Sequence, residues 1–121
     1  MEYRVGQKIY FKEEKKPYKI RACDERFLIC TKPYNFRKET VIYTIVDLKE
    51  NVRGRDGYAF GPYSYYKQDD CDIYLKELQK GAKIEEANDI VFKTHVGMIE
   101  DVGAGHVSYR HRIPLNIEKI A

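Results

Sequence analysis

The first half of the chain alternates apolar and polar positions at the period of a β-strand. In RVGQKIYF (4–11) Val5, Ile9 and Phe11 are apolar, and the last three residues alternate. EEKKP follows as a charged turn that includes Pro17. YKIRACD (18–24) sets Tyr18, Ile20 and Ala22 against Lys19, Arg21 and Cys23, the period of two that gives a strand two unlike faces. DER is a short hairpin connection to FLICTKP (27–33), and YNFRKE is a loop leading to TVIYTIVDL (40–48). That last segment is β-branched or aromatic nearly throughout and apolar on both faces, which predicts a central strand. Four strands joined by short turns predict an antiparallel meander curled around one core.

Residues 49–62, KENVRGRDGYAFGP, break this pattern with three glycines and a proline, and read as a functional loop or a loose hairpin. YSYY (63–66) is a candidate short strand. The period then changes. Cys71, Tyr74, Leu75 and Leu78 recur at i, i+3, i+4 and i+7, an amphipathic helix with Asp69 or Asp70 as N-cap and Lys80–Gly81 as its stop. A second helix is expected over 83–93, with Ile84, Ala87 and Val91 on one face, although Val91, Phe92 and Val96 also fit a strand. VGMIEDVGAGH (96–106) fits neither period. VSYRHRIPLNIEKI (107–120) reads as a final edge strand, because Pro114 has no backbone donor. The expected fold class is α+β: an N-terminal antiparallel sheet, one or two C-terminal helices and a final edge strand, in a single domain spanning 1–121.

Charge adds an asymmetry to this picture. The net charge of +3 is too small to require a nucleic acid. Yet residues 1–55 hold 14 Lys/Arg against 8 Asp/Glu, and residues 56–121 hold 8 against 11. A basic β half beside an acidic helical half suits an anion site or head-to-tail packing of subunits. The three cysteines, Cys23, Cys30 and Cys71, are odd in number and lack CxxC spacing, which points to free thiols rather than zinc ligands. MEYRVGQK lacks the apolar stretch of a signal peptide, and no apolar run approaches a membrane span, so the expectation is a cytoplasmic protein with no membrane partner.

The chemistry-bearing pattern is Arg110–His111–Arg112. On a strand, Ser108, Arg110 and Arg112 share one face, with the arginines roughly 6.6 Å apart. Guanidinium groups at that spacing suit adjacent phosphates, which they grip through paired, always-charged hydrogen bonds. Tyr109 and His111 face the other way, and Tyr109 is counted with the ligand residues. In NVRGRDGYAF (51–60) Arg53 is expected to assist, while Phe60, or Phe92 further on, is expected to stack on a base. VGAGH (102–106) is a weak phosphate-loop signal without its strand-then-helix setting. His95, His106 and His111 belong to no hydrolase or metal signature. No catalytic residue, metal ligand or cofactor is therefore assigned.

KPYKIRACDERFLICTKPYN, TVIYTIVDLKENVRG, CDIYLKELQKG and SYRHRIPLNIEKI together resemble small proteins of bacteriophages, and through them the Thoeris anti-defence sponge family. The likeness covers most of the chain apart from about 82–106. It implies a sheet followed by helices, symmetric homo-oligomers, and capture without turnover of cyclic ADP-ribose isomers made by TIR-domain defence enzymes. A non-enzymatic sponge for an anionic nucleotide, at least dimeric, is thus the first expectation. A single-stranded nucleic-acid-binding module, reading basic residues interleaved with Tyr and Phe as a stacking surface, is the alternative.

Overall fold

The computed structural model describes residues 2–33, 41–54, 57–60, 68–81, 83–84, 105–107 and 112–121. In chain order these form β1 (Lys8–Phe11), β2 (Tyr18–Cys23), β3 (Phe27–Pro33), β4 (Val41–Asp47), β5 (Val52–Gly54), β6 (Gly57–Phe60), α1 (Gln68–Gln79), β7 (Gly105–Val107), β8 (Arg112–Pro114) and β9 (Ile117–Ile120). Every strand pairing among the described residues is antiparallel. The strand order is β7-β6-β4-β3-β2-β1-β9, with β5 between β4 and β8. The expected meander is therefore present, but the balance is not the expected α+β one. The described fold is β-rich with one short helix, and that helix lies between strands rather than after the sheet. The second helix expected over 83–93 lies outside the described residues except for Lys83 and Ile84.

Both faces of β3 and β4 are buried, which is why these segments read as unbroken apolar runs. Their ladder runs from Phe27↔Asp47 to Pro33↔Val41 without a slip. Leu28, Cys30 and Val46 join Ile9, Phe11, Tyr18 and Ile20 in an inner core. Phe27, Ile29, Tyr43 and Ile45 join Ala22 and pack against Cys71, Tyr74 and Leu78 of the helix, with Ile84 beside them. Ala22 was expected to share a face with Tyr18 and Ile20. A bulge between Ile20 and Ala22 shifts the register, so Ala22 leaves the inner core and joins the helix side. One inserted residue is enough to exchange the faces of a strand.

The helix buries the expected stripe, and the Tyr43 and Tyr74 rings stack with centroids 5.7 Å apart. It begins at Gln68, so Asp69 and Asp70 lie in its first turn rather than at the cap. It stops as expected: Gly81 takes φ +107° and donates to the Leu78 carbonyl at 3.0 Å, the left-handed ending that glycine adopts at little cost.

Residues 49–62 contain two short strands rather than one loop. Both pair with β4, β5 at Val46 and Asp47 and β6 at Val41 to Tyr43. The expected final strand is likewise divided. β8 pairs with β5, the chain bends after Pro114, and β9 pairs with β1. Leu115 donates to the Asn51 carbonyl at 3.1 Å and the Asn116 carbonyl accepts from Lys12 at 2.9 Å. The terminal segment thus fastens both to β5, which branches from β4, and to β1, and curls the sheet between them around the inner core. No helix among the described residues is long and apolar enough to cross a membrane.

Candidate anion-binding groove

A groove of about 370 Å³ opens where the β1–β2 turn meets the end of β3. It is lined by Lys8, Lys16, Pro17, Tyr18, Lys19, Arg21, Thr31, Lys32 and Pro33. Five of these residues are basic and none is acidic. Lys8 and Lys19 are Cα partners across β1 and β2. Lys8 exchanges both backbone hydrogen bonds with Ala121, at 2.9 and 2.8 Å. Towards β2 it therefore occupies a non-hydrogen-bonded position, where opposite side chains come closest. Like charges placed directly opposite destabilise a sheet. Lys8, Lys16 and Lys19 are exposed and enter no ion pair among the described residues.

Thr31 follows Lys19 in register on β3, and its hydroxyl accepts from Arg21 Nε at 3.0 Å. The bulge leaves Arg21 on the same side as Lys19. Lys32 borders the groove, but the pleat turns its side chain to the inner-core face, where its ammonium lies 4.5 Å from the Tyr18 ring centroid and 3.1 Å from Glu14 Oε2. Lys8, Lys19, Thr31 and Arg21 thus form a polar row across three strands, about 10 Å from end to end at the usual strand spacing.

Beside the groove lies a buried charge network centred on Arg53. Its side chain is 1% exposed. Nε and Nη2 donate to Glu13 Oε1 at 3.2 and 2.9 Å, Nη2 approaches Glu14 Oε1 at 3.3 Å, and Nη1 donates to Thr44 Oγ1 at 3.1 Å. The Thr44 hydroxyl in turn donates to the Gly54 carbonyl at 2.6 Å. The guanidinium sits 4.4 Å from the Phe11 ring centroid, and Phe11 meets Tyr18 edge to face at 5.5 Å. Two carboxylates, a hydroxyl and an aromatic face offset the cost of taking this cation out of water. Arg53 was expected to reach a ligand; in this arrangement it does so only if Glu13 and Glu14 give way.

Of the other expected ligand residues, Arg112 is the one whose side chain is described, and it does not join Arg53. Arg112 is exposed on β8 opposite Gly54, while Arg53 faces Ile113. The pleat therefore sends the two arginines to opposite sides of the sheet. Phe60 lies on β6 opposite Gly105, and His106 on β7 opposite Ala59. Arg110, Tyr109 and Phe92 lie outside the described residues, as do His95 and His111. The lysines of the groove escaped the sequence reading. Their signal was the charge excess of residues 1–55 and the KKPYKIR run, where Lys16, Lys19 and Arg21 precede or alternate with core residues.

A second cavity of about 500 Å³, lined by Glu2, Tyr3, Cys23, Asp24, Glu25 and Leu48, has the opposite character. Burial and the neighbouring Asp24 charge push the Cys23 thiol upward, only partly offset by the Val5 backbone N–H. Burial pushes Cys30 up further. Both thiols stay protonated and are poor nucleophiles. Burial raises Asp24, but bonds from the Phe27 and Arg26 backbone and the Gln79 amide outweigh it and leave the carboxyl below its usual range. Asp24 thereby ties the β2–β3 turn to the end of the helix. Among the described residues no group of His, Cys, Asp or Glu is arranged to hold a metal ion. In comparisons with known proteins, no family model, no curated protein and no solved structure matches this chain.

Proposed function

We propose that the chain is a non-enzymatic binder that captures a small polyanionic ligand in the basic groove and holds it unchanged. The observation that carries this reading is the Lys8–Lys19 pair. The fold keeps two like charges opposed at the closest cross-strand position and adds Lys16 and Arg21 around them. A bound anion turns this repulsion into attraction through charge-assisted hydrogen bonds. The groove volume suits a nucleotide-sized molecule.

Within this reading the ligand is a nucleotide-type signal of the cyclic ADP-ribose kind, whose pyrophosphate matches a row of cations. The biological role is that of a phage-encoded sponge that keeps a TIR-derived signal from its effector. A homo-oligomer, at least a dimer, would bring Arg110, Arg112, Tyr109, Phe60 or Phe92 to the ligand from a neighbouring subunit. Single-stranded nucleic acid is the less favoured ligand: Tyr18, the aromatic of the groove, is fully buried and lies against Lys32, so no base can stack on it.

Calorimetric titration with ADP and with cyclic ADP-ribose tests the reading. Binding should weaken at least about tenfold in the Lys8→Glu/Lys19→Glu variant, and heat denaturation should return the ligand intact. A cleaved product would make the protein an enzyme. Salt-sensitive binding to short single-stranded RNA or DNA, with no affinity for nucleotides, would transfer the groove to the alternative. Light scattering tests the assembly, and a mass near 14.3 kDa at all concentrations would remove it.

A further inference from the structure

We propose that Thr31 is the hydrogen-bond donor that seats a phosphoryl oxygen at the inner end of the groove, with Arg21 as the residue that holds its hydroxyl in place. The inference rests on the groove being an anion site and narrows the class of anion it takes. Thr31 and Thr44 are the buried threonines among the described residues, 2% and 0% exposed, and they differ in one respect. Each hydroxyl oxygen accepts from an arginine, Thr44 from Arg53 Nη1 at 3.1 Å and Thr31 from Arg21 Nε at 3.0 Å. Thr44 then gives its proton to the Gly54 carbonyl at 2.6 Å. The Thr31 hydroxyl gives its proton to no acceptor among the described residues. A buried donor left without an acceptor is costly, and a groove ligand supplies the missing oxygen.

The register fixes where that oxygen must come from. One cross-strand row runs Lys8, Lys19, Thr31, Tyr43. Tyr43 is buried and stacks on Tyr74 of the helix, so Thr31 is the last polar residue of the row before an apolar wall. Arg21 is the residue that the β2 bulge leaves without a partner on β3, between the Ile20↔Cys30 and Ala22↔Ile29 pairs. A bulge re-aims a side chain in this way, and here it brings the Arg21 Nε–H to the Thr31 oxygen. With its acceptor side taken, Thr31 offers the groove a proton. Lys8, Lys19 and Arg21 are donors as well, so this face of the groove fits a group made of acceptor oxygens. A phosphoryl or pyrophosphoryl group presents such oxygens in several directions and can meet the lysine pair and Thr31 together. The two coplanar oxygens of a carboxylate cannot.

Inorganic pyrophosphate and malonate are the probes, titrated calorimetrically into the full chain and into Thr31→Val and Thr31→Ser. Valine keeps the shape of threonine and removes the hydroxyl, so pyrophosphate should bind about tenfold more weakly and malonate less than about threefold more weakly. Serine keeps the donor and should stay within about threefold of the parent for both anions. In the parent protein the Arg21 Nε–H resonance should move on saturation with pyrophosphate, because a hydroxyl that donates becomes a stronger acceptor. Equal pyrophosphate affinity of the parent and Thr31→Val overturns the seat and leaves the groove standing. Equal loss in Thr31→Val and Thr31→Ser, or equal loss of both anions in Thr31→Val, also overturns it, because packing is then the cause. If the parent binds no pyrophosphate, the groove reading falls and the seat with it. If Thr31→Val does not fold, the resonance decides alone, and an unmoved Arg21 signal in the saturated parent overturns the seat.

Discussion

The carboxylate of Asp47 receives both arms of the Arg26 guanidinium, Nε at 3.0 Å and Nη2 at 2.9 Å, at the last rung of the β3–β4 ladder. The same carboxylate accepts the backbone N–H groups of Lys49 and Glu50 and so shapes the turn into β5. Burial raises its proton affinity, but Arg26 and these backbone donors outweigh burial and hold it below the ordinary carboxylate range. A carboxyl depressed in the folded state stabilises above its unfolded value, and that stability is lost as pH falls through the folded one. Asp24 behaves in the same sense. Stability should therefore drop as pH falls below about 4. Asp47→Ala should cost about 2 kcal/mol at neutral pH and flatten that acid limb, as read from urea unfolding at several pH values.

Arg53→Met should be the most damaging single change in the charge network. It leaves Glu13 and Glu14 facing an apolar side chain, and removing one partner of a buried pair costs about 3 kcal/mol. Replacing Glu13 by Gln in the same chain should restore about half of the loss, because Glu13 is the carboxylate that Arg53 held while Glu14 keeps Lys32. Urea midpoints of the single and double variants check this.

The opposed lysines give a prediction in which stability and binding move apart. Lys19→Glu places an acid opposite Lys8 and should raise stability in the absence of ligand by about 0.5 kcal/mol. The same variant should bind pyrophosphate or ADP more weakly. Thermal melts with and without ligand show both effects, and a variant that lost stability as well as binding would count against the groove.

Gly81→Ala tests the helix stop. An added Cβ at Gly81 meets no atom within 4 Å, so the cost comes from φ +107° alone. It should be about 1 kcal/mol, and Gly81→Asn should recover part of it.

The meander was legible because its strands carry their own periodicity. FLICTKP and TVIYTIVDL are apolar on both faces, and both faces turn out to be covered, one by the inner core and one by the helix. The helix was legible from Cys71, Tyr74 and Leu78, and its end from Gly81. The bulge at Arg21 was not, because nothing in YKIRAC marks one residue as unpaired; only the partner strand does so. β5 and β6 were hidden by glycines that favour loops locally, and their strand character comes from pairing with β4. Arg53 illustrates the limit on site reading. A sequence shows an arginine near glycines, but its partners Glu13 and Glu14 lie about 40 positions away, and that distance decides between a ligand contact and a core cation. The groove was missed for a related reason: Lys8 and Lys19 become a pair only through register.

The terminal segment has a consequence for the order of events in folding. Ile9 pairs with Ile120 and Arg53 with Ile113, so the contacts that curl the sheet join residues far apart along the chain. Such contacts pay the loop-closure entropy in full and form late. The β2–β3–β4 hairpins need only local closure and should condense first. Until the last strand arrives, the edge of β1 and the inner core stand open to water and to other chains. Amide exchange should therefore be fastest at Lys8 and Ala121, slowest along the β3–β4 ladder, and the first traces of association at high concentration should come from molecules frayed at that seam.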